Sequence, residues 1–109
     1  MASDDMHVVM YKILAYLYAC MKDDATPDKS MYSHKALGVN EGYWNSIMAE
    51  LSRRKLVKGI DAKPMMDKDY VTIVNPRITM EGVEFLMENS MMRKARDFLI
   101  SIKAAVPFA

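Results

Sequence analysis

Asn45, Ser46, Ala49 and Arg53 are the residues of this chain whose types and spacing best suit recognition chemistry. Stepping 100° per residue along a helix from Ile47 places them, with Gly42 and Ser52, at about 140 to 260°. Trp44, Ile47, Met48, Leu51 and Lys55 fall on the other side. One face is apolar and fit for a core. The other is short and polar, and that is the build of a helix entering a DNA major groove. There Asn can pair with an adenine edge, Arg with guanine, and the Ala methyl can touch thymine. Lys35, Arg54, Lys58, Lys63 and Lys68 surround the set as candidates for phosphate contact. A helical hairpin that merely packs would show the same apolar stripe.

Other chemistry is thin. His7 and His34 are the only two His, and neither has a second His or a Cys at ligand spacing. Asp67-Lys68-Asp69 lacks the Gly and terminal Glu of a calcium loop. There is no Gly-rich phosphate loop, G-x-S-x-G elbow or HExxH. Glu81, Glu84 and Glu88 share a helical face, which reads as solvated rather than catalytic. The single Cys, Cys20, sits among aromatics as a small hydrophobe. Neither a metal nor a cofactor is expected, and the chain does not read as an enzyme.

The elements that must position the polar set follow from pattern. Residues 33–56 form the helix-turn-helix, with Ser33 capping a short helix, Gly38 in the turn and Asn40 capping the long one from about 41 to 54. Leu56–Asp61 and Tyr70–Val74 read as strands around a loop at Ala62–Asp69, tipped with Lys63 and Lys68, so residues 56–74 make a wing. Met31 and Tyr32 are a further short strand. Asn75-Pro76 breaks the second strand, because Pro76 has no N–H to give. Thr79 caps a helix over 80–88, and a last helix covers 91–105. Gly42, in the first turn of the long helix, suits close approach of another backbone.

The first helix, 7–22, is apolar nearly all round, with Lys12 and Lys22 its only charges. Such a helix is central to a core or shared with a partner. In the last helix Met91, Ala95, Phe98, Ile102 and Ala105 alternate by four and three, which suits a dimer seam or packing on the first helix.

With 109 residues, 51% hydrophobic and 27% charged, the chain reads as one globular domain over 1–109. One Cys fits a reducing compartment. The start, MASDDMH, has no basic region ahead of an apolar run, and no apolar stretch approaches the ~20 residues that span a bilayer. A cytoplasmic protein without a membrane partner is expected. The net charge of +1 is unevenly spread: residues 1–28 carry −3, residues 29–77 carry +4 and residues 78–109 balance. The positive excess lies over the helix-turn-helix and wing, as a phosphate-facing surface requires, though it is modest.

Two long stretches, GYWNSIMAELSRRKLVKG (42–59) and NPRITMEGVEFLMENSMMRKA (75–95), resemble the YjcQ-like family of small bacterial and phage-borne proteins. MYKILAYLYACM (10–21) is similar to that family's first helix. The most distinctive pieces are Tyr43-Trp44, Asn75-Pro76-Arg77-Ile78-Thr79, Gly82 and Glu88-Asn89-Ser90. The resemblance implies an α+β, mainly helical fold: a winged helix-turn-helix with a two-stranded β-hairpin wing and an added C-terminal helix. It implies no catalytic or ligand set. The Arg53-Arg54 pair departs from it, so local basicity belongs to this member.

Two functions are therefore expected. One is a homodimeric, sequence-specific regulator of transcription that binds double-stranded DNA through Asn45, Ser46, Ala49 and Arg53. The other is a winged-helix module for protein–protein interaction, with Tyr43, Trp44, Tyr11, Tyr18, Met91, Phe98 or Ile102 meeting an unidentified partner. Trp44 discriminates: buried it is core, and exposed beside Tyr43 it favours a protein interface.

Overall fold

The structure, a computed structural model, describes residues 5–88. Helix α1 (Met6–Lys22) starts where the Asp5 carboxylate accepts from the His7 amide at 3.0 Å. Eleven of its 17 residues are buried, so its apolar circumference is satisfied within the chain. Tyr11, expected as a partner-facing side chain, is buried and stacks on Phe85 with centroids 5.1 Å apart. That corrects the expectation that Tyr11 meets a partner, whereas Tyr18 is half-buried and Met21 exposed at the end of the helix.

Two single turns follow, α2 (Lys29–Tyr32) and α3 (His34–Leu37). The strand expected at Met31–Tyr32 is absent. Asp28 accepts from the Ser30 amide at 3.0 Å and starts a turn of helix there instead. Ser33 caps α3 as its type predicts, and Asn40 caps the long helix α4 (Glu41–Arg53) by accepting from the Tyr43 amide at 2.8 Å. Trp44, Ile47, Met48 and Leu51 of α4 are buried against the core around α1. Trp44 is 8% exposed, and its indole Nε1 donates to the Tyr32 carbonyl at 2.8 Å. It is a core residue tying α4 to α2.

Strands β1 (Val57–Met65) and β2 (Lys68–Ile78) pair antiparallel as a two-stranded sheet. They run through the stretch expected to be a loop, leaving only Met66-Asp67 as the turn. Pro64 is tolerated because a two-stranded ribbon has no interior position, and a missing N–H can lie on the outside. Nor does Asn75-Pro76 end β2. The register moves from Lys58↔Arg77 to Ile60↔Ile73, so Gly59 opposes the three residues 74–76 in a bulge. Gly59 has φ +84°, and a Cβ there would stand 2.5 Å from the Val74 carbonyl oxygen. Asn75 takes φ +50°, a conformation Asn tolerates.

Thr79 joins the end of the hairpin to the end of α4. Its Oγ1 donates to the Lys55 carbonyl at 2.7 Å and accepts from the Gly82 amide at 3.0 Å, capping α5 (Met80–Met87). A Cβ on Gly82 would run into the Leu56 carbonyl and the Ile78 side chain, so helix and hairpin base meet closely there. The whole is an α+β, winged-helix-like fold, with the hairpin folded back along α4. No helix among the described residues is long and apolar enough to cross a membrane. The helix expected at 91–105, with Met91, Phe98 and Ile102, lies outside the described residues.

Candidate functional site

Because β1 leaves the end of α4 and turns back along it, the hairpin tip returns over the first half of that helix. Between them lies a cleft of about 450 Å³. Glu41, Gly42, Asn45 and Ser46 form its helical wall, and Asp67, Lys68, Asp69 and Tyr70 its hairpin wall. Its charge is three carboxylates against one ammonium.

Arg53 stands one end further along the same face and is held on both sides. Its guanidinium lies 3.0 Å from an Asp69 carboxylate oxygen and 3.6 Å from Glu50. Arg54 donates from Nε to the other Glu50 oxygen at 2.8 Å. The Arg54 hydrogen bond, with the charge of both arginines, holds the Glu50 carboxyl below the ordinary glutamate value. Two of the chain's three described arginines are thus paired with carboxylates within the molecule.

The expected base-reading set does not survive as a unit. Ala49 is fully buried, 0% exposed, because the hairpin covers the middle of the helical face that the angular pattern leaves open. Ser52 faces the same cover and donates from Oγ to the Ile60 carbonyl at 2.9 Å. Asn45 is half-buried on the cleft wall. Ser46 is exposed, with its hydroxyl donating to the Gly42 carbonyl at 3.3 Å. Gly42 meets no other backbone: a Cβ there would have only Asn40 Oδ1 nearby, at 3.5 Å, so the close approach expected of it is absent.

The expected phosphate contacts are scattered. Lys35 is exposed on α3, Lys63 lies 3.9 Å from Asp61, and Lys68 sits in the acidic cleft. Lys58 is exposed at the base of the hairpin, directly across from Arg77. Neither has an ion pair among the described residues, and like charges facing across a ladder oppose its pairing.

Of the protein-facing candidates, Tyr43 and Tyr18 are half-buried, the latter with Lys22 Nζ 4.7 Å from its ring centroid. Exposed apolar side chains lie at Met21 of α1, at Met80 and Met87 of α5, and on the hairpin. Met65 and Met66 stand at its tip, Tyr70 and Val74 on its outer face. Met66 is fully exposed and takes φ +58°, where Gly is the usual occupant. Tyr70, Val71, Ile73 and Val74 put apolar side chains on both faces of the strand, so their spacing does not say which face is left uncovered. Among the described residues no His, Cys, Asp and Glu are grouped to hold a metal ion.

A family model described as YjcQ protein matches residues 11–105. The chain belongs to this family. The YjcQ match takes in the helix-turn-helix, the whole hairpin and α5, so both walls of the cleft fall within it. No curated protein and no solved structure matches the chain.

Proposed function

We propose that this YjcQ-family chain is a winged-helix module for protein–protein interaction, cytoplasmic and without catalytic activity, that meets its partner through the hairpin and the α4 cleft. The observation that carries the reading is the pairing of Arg53 with Asp69 and Glu50. A helix reading DNA needs its guanidinium free and its approach clear of carboxylates. Here Glu41, Glu50, Asp67 and Asp69 would all come close to phosphates. Exposed Met65, Met66 and Tyr70 in a rim of mixed charge suit a protein surface better.

Duplex binding as a transcription regulator is the second reading, supported by Lys58 and Arg77, which face each other without an ion pair among the described residues. Self-association is proposed on the repeat in 91–105, and light scattering at ~10–100 μM reads it as a doubled mass.

Two measurements separate the readings. Selection from a random duplex pool should enrich nothing, with anisotropy at low salt showing no affinity tighter than ~10⁻⁴ M. A photo-crosslinking residue in place of Tyr70 should give a discrete protein adduct in the native host, lost on Met66→Asp. A selected duplex bound at ~10⁻⁶ M or tighter and lost with Arg53→Ala would overturn the proposal in favour of DNA.

A further inference from the structure

A two-stranded sheet has two outer edges, and this chain closes one of them. Across a two-residue turn the flanking residues, Met65 and Lys68, exchange hydrogen bonds. Pairs then alternate along the ladder, so the backbone groups of Pro64 and Asp69, Ala62 and Val71, and Ile60 and Ile73 point outward. The Ser52 hydroxyl confirms this phase independently, since it reaches the Ile60 carbonyl from outside the sheet at 2.9 Å. On β1, therefore, the Ile60 carbonyl is occupied and Pro64 offers no N–H, a combination that blocks strand addition. On β2, Asp69, Val71 and Ile73 carry both backbone groups. No hydrogen bond from outside the hairpin reaches those groups among the described residues.

The start of this open edge borders the cleft. Its opposite wall is low at Gly42, which has no side chain, and at Ser46, which has a short one, between Glu41 and Asn45. An added strand needs only about 4.8 Å of lateral room. Charge states the partner's chemistry: with Asp69 paired to Arg53, Glu41 and Asp67 remain against Lys68 in the cleft lining, a small acidic excess.

We propose that a basic, extended segment of a partner protein pairs with the outer edge of β2 over residues 69–73, adding a third strand beside the α4 cleft. The inference rests on the protein-interaction reading and names its docking mode. Main-chain hydrogen bonds supply the attachment, and the carboxylates select Lys- or Arg-bearing segments over acidic ones. The exposed outer face at Tyr70 and Val74 lies next to the new strand, where its side chains meet cross-strand neighbours.

The test starts from a display library of random dodecapeptides panned on the full chain. Enriched sequences should alternate in hydropathy and carry an excess of Lys and Arg. The best peptide should slow amide hydrogen exchange at Asp69, Val71 and Ile73 and leave Ile60 unchanged. Methylating its alternate backbone nitrogens should weaken binding at least about tenfold, with no change to the protein. Val71→Pro, which deletes one outward N–H and no ladder bond, should do the same while the amide spectrum stays dispersed. Asp67→Lys should weaken binding several-fold.

No enrichment, enrichment of acidic or helix-forming peptides, or affinity indifferent to N-methylation would overturn the edge. A Tyr70 adduct obtained without exchange protection at 69–73 overturns this inference while the protein-interaction reading stands. A tightly selected duplex removes both.

Discussion

Helix α1 and the hairpin are both rich in large apolar side chains, and the fold treats them oppositely. Along α1 the apolar residues are buried on nearly every side, Leu14 to 0% exposure and Tyr11 to 1%. On the hairpin, Tyr70 is 57% and Val74 70% exposed. A helix lying under α4, β2 and α5 has neighbours on several sides, whereas a ribbon of two strands has one covered face. An apolar circumference therefore marks the centre of the molecule, and apolar residues on both faces of a rim ribbon leave one set exposed.

Truncation on the two sides of this comparison should give the largest contrast. Leu51→Ala removes a fully buried side chain from the face of α4 nearest α1, and should lower unfolding free energy by about 2–5 kcal/mol in urea titrations. Tyr70→Ala and Val74→Ala should each change it by less than ~0.5 kcal/mol. A hairpin variant as damaging as Leu51→Ala would break the comparison, since the outer face would then be part of the core.

Trp44 sharpens it at the middle of the scale. Trp44→Phe keeps the apolar contact and removes the indole donor, leaving the Tyr32 carbonyl unpaired in a buried site. The expected loss is about 1–3 kcal/mol, with wild-type fluorescence blue-shifted and poorly quenched by iodide.

Much of this scaffold was legible because caps and periodicity are local. Ser33, Asn40 and Thr79 each start the helix that their types announce. The apolar stripe of α4 is the buried one. What pattern could not show is which segment returns to cover the opposite stripe. Ala49 reads as groove-facing until the hairpin lies on it, and Arg53 reads as free until Asp69, sixteen residues on, reaches it. The hairpin itself was under-read because Pro64 and the Asp-Lys-Asp run have loop composition, while their penalties vanish in a ribbon made only of edges. Asp28 likewise outweighed the extended preference of Met31-Tyr32.

The hairpin tip gives a smaller effect of opposite sign. Met66 occupies a positive φ that disfavours a side chain, and its own side chain contributes no burial. Met66→Gly should therefore raise stability by about 0.5–1 kcal/mol, after allowing for the greater freedom of Gly in the unfolded chain. If it also weakens partner binding, the strained Met is kept for contact rather than for folding.

The smallest effect tests the ion pairs that close off α4. Arg54 and Arg53 hold the Glu50 carboxyl below its ordinary value of 4.5 in the folded chain. A carboxyl depressed in this way binds its proton more readily when unfolded. Its contribution to stability is thus complete above that ordinary value and is lost as pH falls through the lower, folded one. Urea midpoints followed downward from pH 6 should fall below about pH 4.5, and Glu50→Gln should flatten part of that acid limb while changing little at pH 7. The difference should be only a few tenths of a kcal/mol, because both arginines are about half exposed, at 55% and 48% of side-chain surface. Salt at ~0.5 M should shrink it further. An acid limb identical in Glu50→Gln and wild type would mean that Glu50 does not hold the two arginines in solution. Asp69, 3.0 Å from Arg53, would then be the one described carboxylate keeping that guanidinium from a phosphate or a base.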